Sequence, residues 1–153
     1  MTTIPTLASK DVSISQLEEK NRIEKANAKV VTDFYNLAFQ QRQPRQAALS
    51  YFGENYVQHN PLVADGAEPF YTFFEGFFTQ FPDARSTVHR VMADGDMVIL
   101  HLNLQPTSDE PGSAVVDIFR VENGKIVEHW DVVQDVPAQT ANGHTMFDSV
   151  KSN

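Results

Sequence analysis

The chain has no cysteine, and its 12 lysine and arginine residues are outnumbered by 20 acidic residues in a total of 153. The lack of cysteine excludes disulfides, thiolate metal sites and cysteine nucleophiles. A net charge of −8 without any basic cluster argues against nucleic acids and anionic membrane surfaces as partners. No apolar run is long enough to span a membrane, and the N-terminus lacks the pattern of a signal peptide. We therefore expect a soluble cytoplasmic protein.

Length and composition predict one globular domain, because 41% of the residues are hydrophobic and only 21% are charged. The polar, unpatterned N-terminus predicts a flexible arm over residues 1–14, the domain itself over 15–148 and a short tail over 149–153. Eleven phenylalanine residues are many for a chain of this size. They indicate a core, or a pocket, walled by aromatic rings.

The first half of the chain predicts three helices. A capping box at Ser15–Glu18 and apolar residues at helical spacing predict a first helix over 15–41. Proline at its first position predicts a short second helix over 44–52. A second capping box at Asp65–Glu68 and a phenylalanine stripe predict a third helix that ends before Pro82. We expect the stripe to lie mostly in the core, with one or two rings lining a pocket.

The second half predicts antiparallel strands over about 85–93 and 97–105, followed by a hairpin over 115–133. Strand 97–105 is partly apolar on both faces, which indicates that both faces are covered. Helices followed by a meander of strands are typical of an α+β fold. We expect a cone-shaped, curved antiparallel sheet packed on three N-terminal helices, with a central pocket between them.

The hairpin VVDIFRVENGKIVEHWDVV carries the most informative pattern in the chain. A three-residue loop at Glu122–Gly124 would place Asp117 opposite His129. Alternation would then bring five side chains to one face: Asp117, Phe119, Val127, His129 and Asp131. Buried carboxylates are costly unless they are paired or protonated, so this cluster indicates a functional site. A two-residue turn would instead put Asp117 on the face of Trp130, away from Asp131.

Three segments carry a resemblance to a known family: YVQHNPLVADG (56–66), DIFRVENGKIVEHWDVVQDVP (117–137) and ANGHTMF (141–147). They resemble the SnoaL-like polyketide cyclases of the nuclear-transport-factor-two-like superfamily, and in particular the predicted SnoaL-like aldol-condensation enzymes. The resemblance covers residues 18–148. It implies a cystatin-like cone fold that holds a ligand between helices and sheet, and chemistry that needs neither a metal nor an organic cofactor.

The resemblance also implies roles for individual residues. Asp131 matches the acid/base of the intramolecular aldol closure, and Asp117 matches a second polar group on the neighbouring strand. Ketosteroid isomerases share the fold, and Asp117 resembles their carboxylic acid, which is kept neutral so that it can donate a hydrogen bond. Tyr35 resembles their donor tyrosine. Asn60 stands at the position of their base, and an amide cannot take up a proton.

These residues predict proton transfer next to a carbonyl of a small hydrophobic substrate, ending in aldol cyclisation, isomerisation or hydration. Asp131 and Asp117 are the catalytic candidates. The candidates for substrate binding are Tyr35, His59, Asn60, His101, Phe119 and His129. The alternative function is a non-catalytic module that binds a small molecule on the same fold. A metal site of two histidines and one carboxylate has no supporting ligand spacing, so no metal is predicted.

Each candidate also has a purely structural interpretation. Asp131 could cap a turn or pair with Arg120, and Asp117 could be a buried partner of His129 or His101. His59 could reach the mouth of the pocket or only bond to the backbone before Pro61. The sequence leaves these alternatives open.

The face of the sheet opposite the pocket predicts an assembly. In the expected register this convex face carries Leu100, Leu102, Ile118, Ile126 and Trp130. Such a patch is too apolar to face water. We therefore expect a homodimer with two-fold symmetry through the convex sheet face.

Overall fold

The computed structural model describes residues 13–149, in which three helices pack on a five-stranded sheet. The helices are α1 (Ile14–Tyr35), which continues as a π-helical turn (Asn36–Gln40), α2 (Pro44–Tyr51) and α3 (Ala67–Gln80). The strands are β1 (Phe52–Gln58), β2 (Arg85–Asp94), β3 (Met97–Gln105), β4 (Ser113–Glu122) and β5 (Lys125–Asp135). The sheet order is β1-β5-β4-β3-β2. The predicted α+β class is confirmed.

The N-terminus of α1 lies slightly earlier than the sequence predicts. Ser13, not Ser15, is the capping residue, and it forms a complete capping box with Gln16. Since Ser13 and Ile14 belong to α1 and its cap, the predicted arm over 1–14 is wrong at its last two residues. The rest of the arm, and residues 150–153 of the predicted tail, lie outside the described residues.

The predicted capping box at the start of α3 is wrong. Gly66 is the N-cap residue, and no side chain caps this end of the helix. The Asp65 carboxylate instead accepts a hydrogen bond from the backbone N–H of Gln58 at 2.7 Å. Asp65 therefore ties the loop before α3 to the end of β1, where the polar residues of the cavity begin.

The sheet is mixed, which differs from the wholly antiparallel sheet that the sequence predicts. Strand β1 runs parallel to β5 at one edge, and the other three neighbouring pairs are antiparallel. Parallel neighbours need a long crossover, and here α3 and three strands lie between β1 and β5. The residues of β1 form too short an extended segment for their pattern to show which strand they join.

The hairpin between β4 and β5 turns in two residues, so the predicted three-residue loop is wrong. Asn123 and Gly124 have φ values of 51° and 73°. Positive φ at both central residues is the requirement of a type I′ turn, which the Asn-Gly pair meets. The turn closes between Glu122 and Lys125.

A β-bulge next to this turn restores the face that the sequence predicts for Asp117. Val121 pairs with Ile126 but Arg120 pairs with Glu128, so Val127 is an extra residue in β5. Beyond the bulge, Asp117 lies opposite Asp131 rather than opposite His129. The two-residue turn alone would put Asp117 and Asp131 on opposite faces of the sheet. The extra residue Val127 reverses this, so Asp117 and Asp131 share one face.

The core lies between the helices and the helix-facing side of the sheet. Leu100, Leu102 and Ile126 are at most 1% exposed there, so their predicted position on the convex face is wrong. The bulge turns Ile126 inward, and the alternation of β3 buries its leucines. The opposite, outer face of the sheet carries Ile118 and Trp130, as predicted, and these two residues pair directly.

Among residues 13–149, no helix has both the length and the apolar character that crossing a membrane requires. The cytoplasmic location stays a prediction.

Candidate active site

A cavity of about 220 Å³ lies between the helices and the helix-facing side of the sheet. Aromatic residues are the largest group in its wall: Phe34, Tyr35, Phe39, Tyr56, Phe70, Phe73, Phe74, Phe77 and Phe119. The phenylalanine stripe of α3 thus contributes four rings, more than the one or two expected. The polar residues of the wall are Gln58, Asn60, Ser113, Asp117, His129 and Asp131.

Two neighbouring strands place the central polar side chains in this cavity. Asp117 of β4 and Asp131 of β5 are directly paired, and His129 lies opposite Phe119. All four residues line the cavity, and Asp117 and His129 are only 9% and 8% exposed. The structure therefore brings together the two carboxylates and the imidazole, while their catalytic roles stay predictions.

The hydrogen bonds around His129 determine where its ring carries hydrogen. His129 Nδ1 lies 2.8 Å from Gln58 Oε1, and the backbone N–H of Asn60 donates to the same oxygen at 2.9 Å. A backbone N–H can only donate, so Gln58 must present its oxygen to both groups. His129 Nδ1 therefore carries a hydrogen and donates it to Gln58.

The hydrogen on His129 Nδ1 limits which atoms can donate in the hydrogen bond between His129 Nε2 and Asp117 Oδ1, which are 2.9 Å apart. Either Asp117 is a neutral acid that donates to a neutral imidazole, or an imidazolium donates to the Asp117 carboxylate. In both cases the bond holds one proton. The structural alternative of an Asp117–His129 pair is thus correct in its geometry, and the pair lies beside the cavity.

Asp131 is in contrast held as a hydrogen-bond acceptor. Asn60 Nδ2 donates to Asp131 Oδ2 at 2.6 Å, and Asn60 Oδ1 accepts from the backbone N–H of Leu62 at 2.9 Å. The second bond fixes the orientation of the Asn60 amide, so its N–H₂ group faces the carboxylate. Asp131 Oδ1 has no hydrogen-bond partner among residues 13–149 and remains able to accept a proton.

The alternative in which Asp131 pairs with Arg120 is wrong. Arg120 lies on the outer face, where it binds Glu128 at 2.8 Å and Glu122 at 3.3 Å. Asp131 and Arg120 are therefore on opposite faces of the sheet, and no arginine neutralises the Asp131 carboxylate from within the described part of the cavity wall.

Tyr56 and Gln58 are site residues that the sequence interpretation missed. The Tyr56 hydroxyl accepts a hydrogen bond from Gln58 Nε2 at 2.9 Å. Burial, together with the charges of Asp117 and Asp131, raises the pKa of Tyr56, so its hydroxyl stays protonated. The available signal was the spacing of two in YVQHN, which puts Tyr56, Gln58 and Asn60 on one side of an extended segment.

Tyr35 contributes its ring rather than its hydroxyl to the cavity. The ring lines the wall and stacks on Phe39 with centroids 4.3 Å apart. Its hydroxyl is hydrogen-bonded to the Ser86 hydroxyl of β2. Burial raises the pKa of Tyr35 as well. The hydrogen bond to a substrate that the resemblance implies for Tyr35 would therefore have to compete with its hydrogen bond to Ser86.

The predicted position of His59 at the cavity is wrong. His59 lies beyond the end of β1 on the outer face, since alternation gives the inner side to Gln58 and Asn60. Its ring stacks on Trp130 with centroids 4.6 Å apart, and its Nε2 lies 2.8 Å from Glu128 Oε1. The hydrogen bonds from His59 and Arg120 lower the pKa of Glu128.

The predicted position of His101 in the cavity is also wrong. Leu100 and Leu102 take the helix-facing side of β3, so His101 points to the outer face. Its Nδ1 accepts from Arg90 at 3.0 Å, and its ring stacks on Phe147. Burial, with the nearby charge of Arg90, lowers the pKa of His101, which favours the neutral ring.

One group of side chains has the composition of a cation site. Ligand atoms of Asp117, His129 and Asp131 all lie within 4.8 Å of one another. Both ring nitrogens of His129 are already hydrogen-bonded, to Gln58 and to Asp117. A cation would therefore have to replace an existing hydrogen bond, and the absence of a metal stays a prediction.

Solved structures with the same fold include three that cover most of this chain. TsrD from Streptomyces laurentii has a TM-score of 0.60 at 19% identity over 71% of this chain and 89% of its own. An NTF2-like protein of unknown function from Mesorhizobium loti has a TM-score of 0.61 at 22% identity, covering 72% and 93%. A provisionally named SnoaL-like polyketide cyclase from Jannaschia sp. CCS1 has a TM-score of 0.57 at 19% identity, covering 82% and 91%.

The sequence itself shows the family. No curated protein is similar enough to the chain to match it. The sequence pattern of the SnoaL-like domain, however, matches residues 31–129, which extend from near the C-terminal end of α1 to His129 of β5. The NTF2-like expectation for the fold is confirmed by the structural neighbours. The chain belongs to the SnoaL-like domain family.

Proposed function

We propose that the protein is an enzyme that performs cofactor-independent acid/base chemistry next to a carbonyl group. The observation that carries this proposal is the pairing of an acceptor and a proton source in one apolar cavity. Asp131 accepts a hydrogen bond from Asn60, whereas the Asp117–His129 bond holds a proton. An acid and a base on one wall are what removal of a proton from a carbon next to a carbonyl needs.

In the proposed reaction, Asp131 removes a proton from the carbon next to the substrate carbonyl. The electron pair moves onto the carbonyl oxygen, and the proton of the Asp117–His129 pair stabilises the enolate. In an aldol cyclisation the enolate carbon attacks a second carbonyl, the first carbonyl re-forms, and the new alkoxide takes up the proton that Asp131 removed. In an isomerisation Asp131 returns the proton to a different carbon. Both outcomes leave the protein unchanged.

The dimensions of the cavity favour a small substrate over a polycyclic one. Its volume of about 220 Å³ lies below the roughly 300–1,000 Å³ that is common for ligand sites. Its wall consists mostly of aromatic and aliphatic side chains, so the substrate body should be apolar. The substrate we propose is a small, hydrophobic carbonyl compound.

Hydrogen exchange tests this proposal with simple ketones in place of the natural substrate. The protein is incubated in D₂O with small hydrophobic ketones such as cyclohexanone, acetophenone and 2-tetralone, and ¹H NMR follows the α-protons. We expect exchange faster than in buffer for at least one ketone that binds. Saturable binding of these ketones without exchange would contradict the proposal and support the alternative, a non-catalytic binding module.

We also propose that the protein forms a homodimer through the outer face of the sheet. Ile99, Ile118 and Trp130 lie side by side across three strands of that face. Three of the five residues expected there are buried in the core instead, but Met92 and Val132 extend the patch and are 50% and 64% exposed. Two copies of such an apolar face would shield each other from water.

Trp130→Glu should convert the proposed dimer into a monomer, because it places a charge in the middle of the interface. Sedimentation at micromolar concentration measures the mass. Leu49→Glu is the control, since Leu49 is 66% exposed on α2, and that variant should remain dimeric. A monomeric wild-type protein, or a dimer that persists in the Trp130 variant, would count against this interface.

A further inference from the structure

We propose that Tyr56 is the oxyanion donor of this site and that its hydroxyl binds the carbonyl or enolate oxygen of the ligand. This inference rests on the proposed proton-transfer chemistry, which needs a donor for the developing negative charge. It assigns Tyr56 a direct contact with the substrate, in addition to the proton held between Asp117 and His129.

The first argument is the hydrogen-bond balance of the Tyr56 hydroxyl, which has one hydrogen to donate. Gln58 Nε2 donates to this hydroxyl, because the Gln58 oxygen is already used by His129 and by the backbone of Asn60. The hydroxyl therefore acts as the acceptor toward Gln58. Among residues 13–149 no acceptor is bonded to its own hydrogen, and Tyr56 is 3% exposed in the wall of the cavity.

The second argument is that Gln58 joins the two donors of the site. The same amide binds Tyr56 through Nε2 and His129 through Oε1. The Gln58 amide thus links the Tyr56 hydroxyl to the His129 ring, whose Nε2 shares a proton with Asp117. More than one hydrogen-bond donor in the same wall is the usual composition of an oxyanion site.

The third argument is that Tyr56 is fixed before any ligand binds. Its ring stacks on Phe52, with centroids 3.9 Å apart and an interplanar angle of 10°. Its backbone oxygen accepts from the N–H of Gly66 at 3.1 Å. A donor that is already in place loses little freedom when charge develops on the substrate oxygen, which is the physical basis of electrostatic preorganisation.

Tyr35 provides the internal comparison. It is a second buried tyrosine whose ring lines the same cavity, but its hydroxyl is bonded to Ser86 at the edge of β2. Tyr51 supplies the control variant, because it packs edge-on against Phe34 and is not among the residues that line the cavity. Tyr56→Phe and Tyr51→Phe remove the same hydroxyl group, once inside the cavity wall and once outside it.

The experiment measures the binding of the 2-naphtholate anion, an apolar ring with an enolate-like oxygen, by fluorescence titration at a pH where 2-naphthol is ionised. We expect Tyr56→Phe to weaken binding by about 10- to 100-fold, as expected for the loss of a charge-assisted hydrogen bond. Tyr51→Phe, whose hydroxyl lies outside the cavity, should change it by less than about 3-fold. Equal losses in the two variants, no loss in Tyr56→Phe, or no binding to wild-type protein at millimolar concentration would overturn the inference.

A second measurement uses the wild-type fold, because Tyr56→Phe leaves the Gln58 amide without an acceptor and could lower stability. A short hydrogen bond to naphtholate should give a hydroxyl proton resonance far downfield in ¹H NMR. The signal should persist in Tyr51→Phe and be missing in a folded Tyr56→Phe variant. Its absence from the wild-type complex would contradict the assignment.

The outcomes separate this inference from the proposed function. If ketone exchange occurs and Tyr56→Phe binds 2-naphtholate like wild type, the site is catalytic and Tyr56 is not its donor. If the naphtholate result holds but no bound ketone exchanges its protons, Tyr56 is the donor of a binding site and the proposed proton transfer is wrong.

Discussion

Replacing Asp131 by asparagine should slow the exchange of ketone α-protons by about 100-fold or more, with ligand binding nearly unchanged. Asparagine has the same shape, and its side-chain oxygen can still accept the hydrogen bond from Asn60 that Asp131 accepts at 2.6 Å. What disappears is the only property that the mechanism needs from this position, the ability to take up a proton. The measurement is the exchange rate at saturating ketone, together with the dissociation constant.

Asp135→Asn is the matched control for this prediction. Asp135 lies four residues further along β5, where it accepts from the Ser113 hydroxyl, and it is exposed. Its replacement removes a carboxylate from the same strand and should leave exchange unchanged. Asp117→Asn retains a donor toward His129 and should cost less than Asp131→Asn. Normal exchange in the Asp131 variant would exclude Asp131 as the base.

Replacing Phe34 by alanine should lower the free energy of unfolding by about 3–5 kcal/mol, the usual cost of removing a buried aromatic side chain. Phe34 is 1% exposed, and its ring contacts those of Tyr51, Phe52, Phe70 and Phe119. These contacts connect α1 to α2, β1, α3 and β4, so the cavity wall loses support on several sides. Urea denaturation followed by circular dichroism measures the effect.

Phe73→Ala is the control for the Phe34 variant. Phe73 also lines the cavity, but it lies on α3 and is 48% exposed. Since little apolar surface is removed from water at this position, we expect a loss below about 1 kcal/mol. A small loss in the Phe34 variant, equal to that of the control, would show that Phe34 does not connect the elements of the core.

The elements of this fold follow from the sequence because their patterns are long. Strand β3 over 97–105 agrees with its prediction at both ends, and β2 extends only one residue beyond 93. The phenylalanine stripe predicts α3, since apolar residues at helical spacing must bury one side of a helix. Pro44 predicts the start of α2 for a local reason, the loss of a backbone N–H that no helix uses there.

The register of the hairpin could not be predicted because it depends on two features, the length of the turn and the bulge at Val127, whose effects on the facing of Asp117 cancel. The sequence Glu122-Asn123-Gly124 fits both a two-residue and a three-residue loop. The bulge at Val127 depends on tertiary packing, because it lets Ile126 enter the core while His129 and Asp131 still face the cavity. In a regular strand, residues three apart lie on opposite faces. Ile126 and His129 can therefore both face the helices only if the strand bulges, and that requirement comes from packing against the helices rather than from the strand sequence.

The positions predicted for His59 and His101 were wrong for a related reason. Strand β3 is apolar on both faces, so its pattern could not show whether Leu100 or His101 points to the helices. Likewise, the residues YVQHN could place either Gln58 or His59 inward. The hydrogen-bond network decides in favour of Gln58, which binds both His129 and Tyr56. A network of three side chains from two strands is a tertiary property.

The central claim is that His129 carries hydrogen on Nδ1 and so holds a proton against Asp117 through Nε2. Nitrogen-15 NMR of the histidine rings tests it most directly, because the chemical shift separates a protonated ring nitrogen from a bare one. We predict hydrogen on Nδ1 of His129 in the ligand-free protein at neutral pH. A bare Nδ1, with hydrogen only on Nε2, would contradict the account. The Gln58 amide would then present Nε2 to His129 and Oε1 to Tyr56, and the Tyr56 hydroxyl would donate its hydrogen to Gln58.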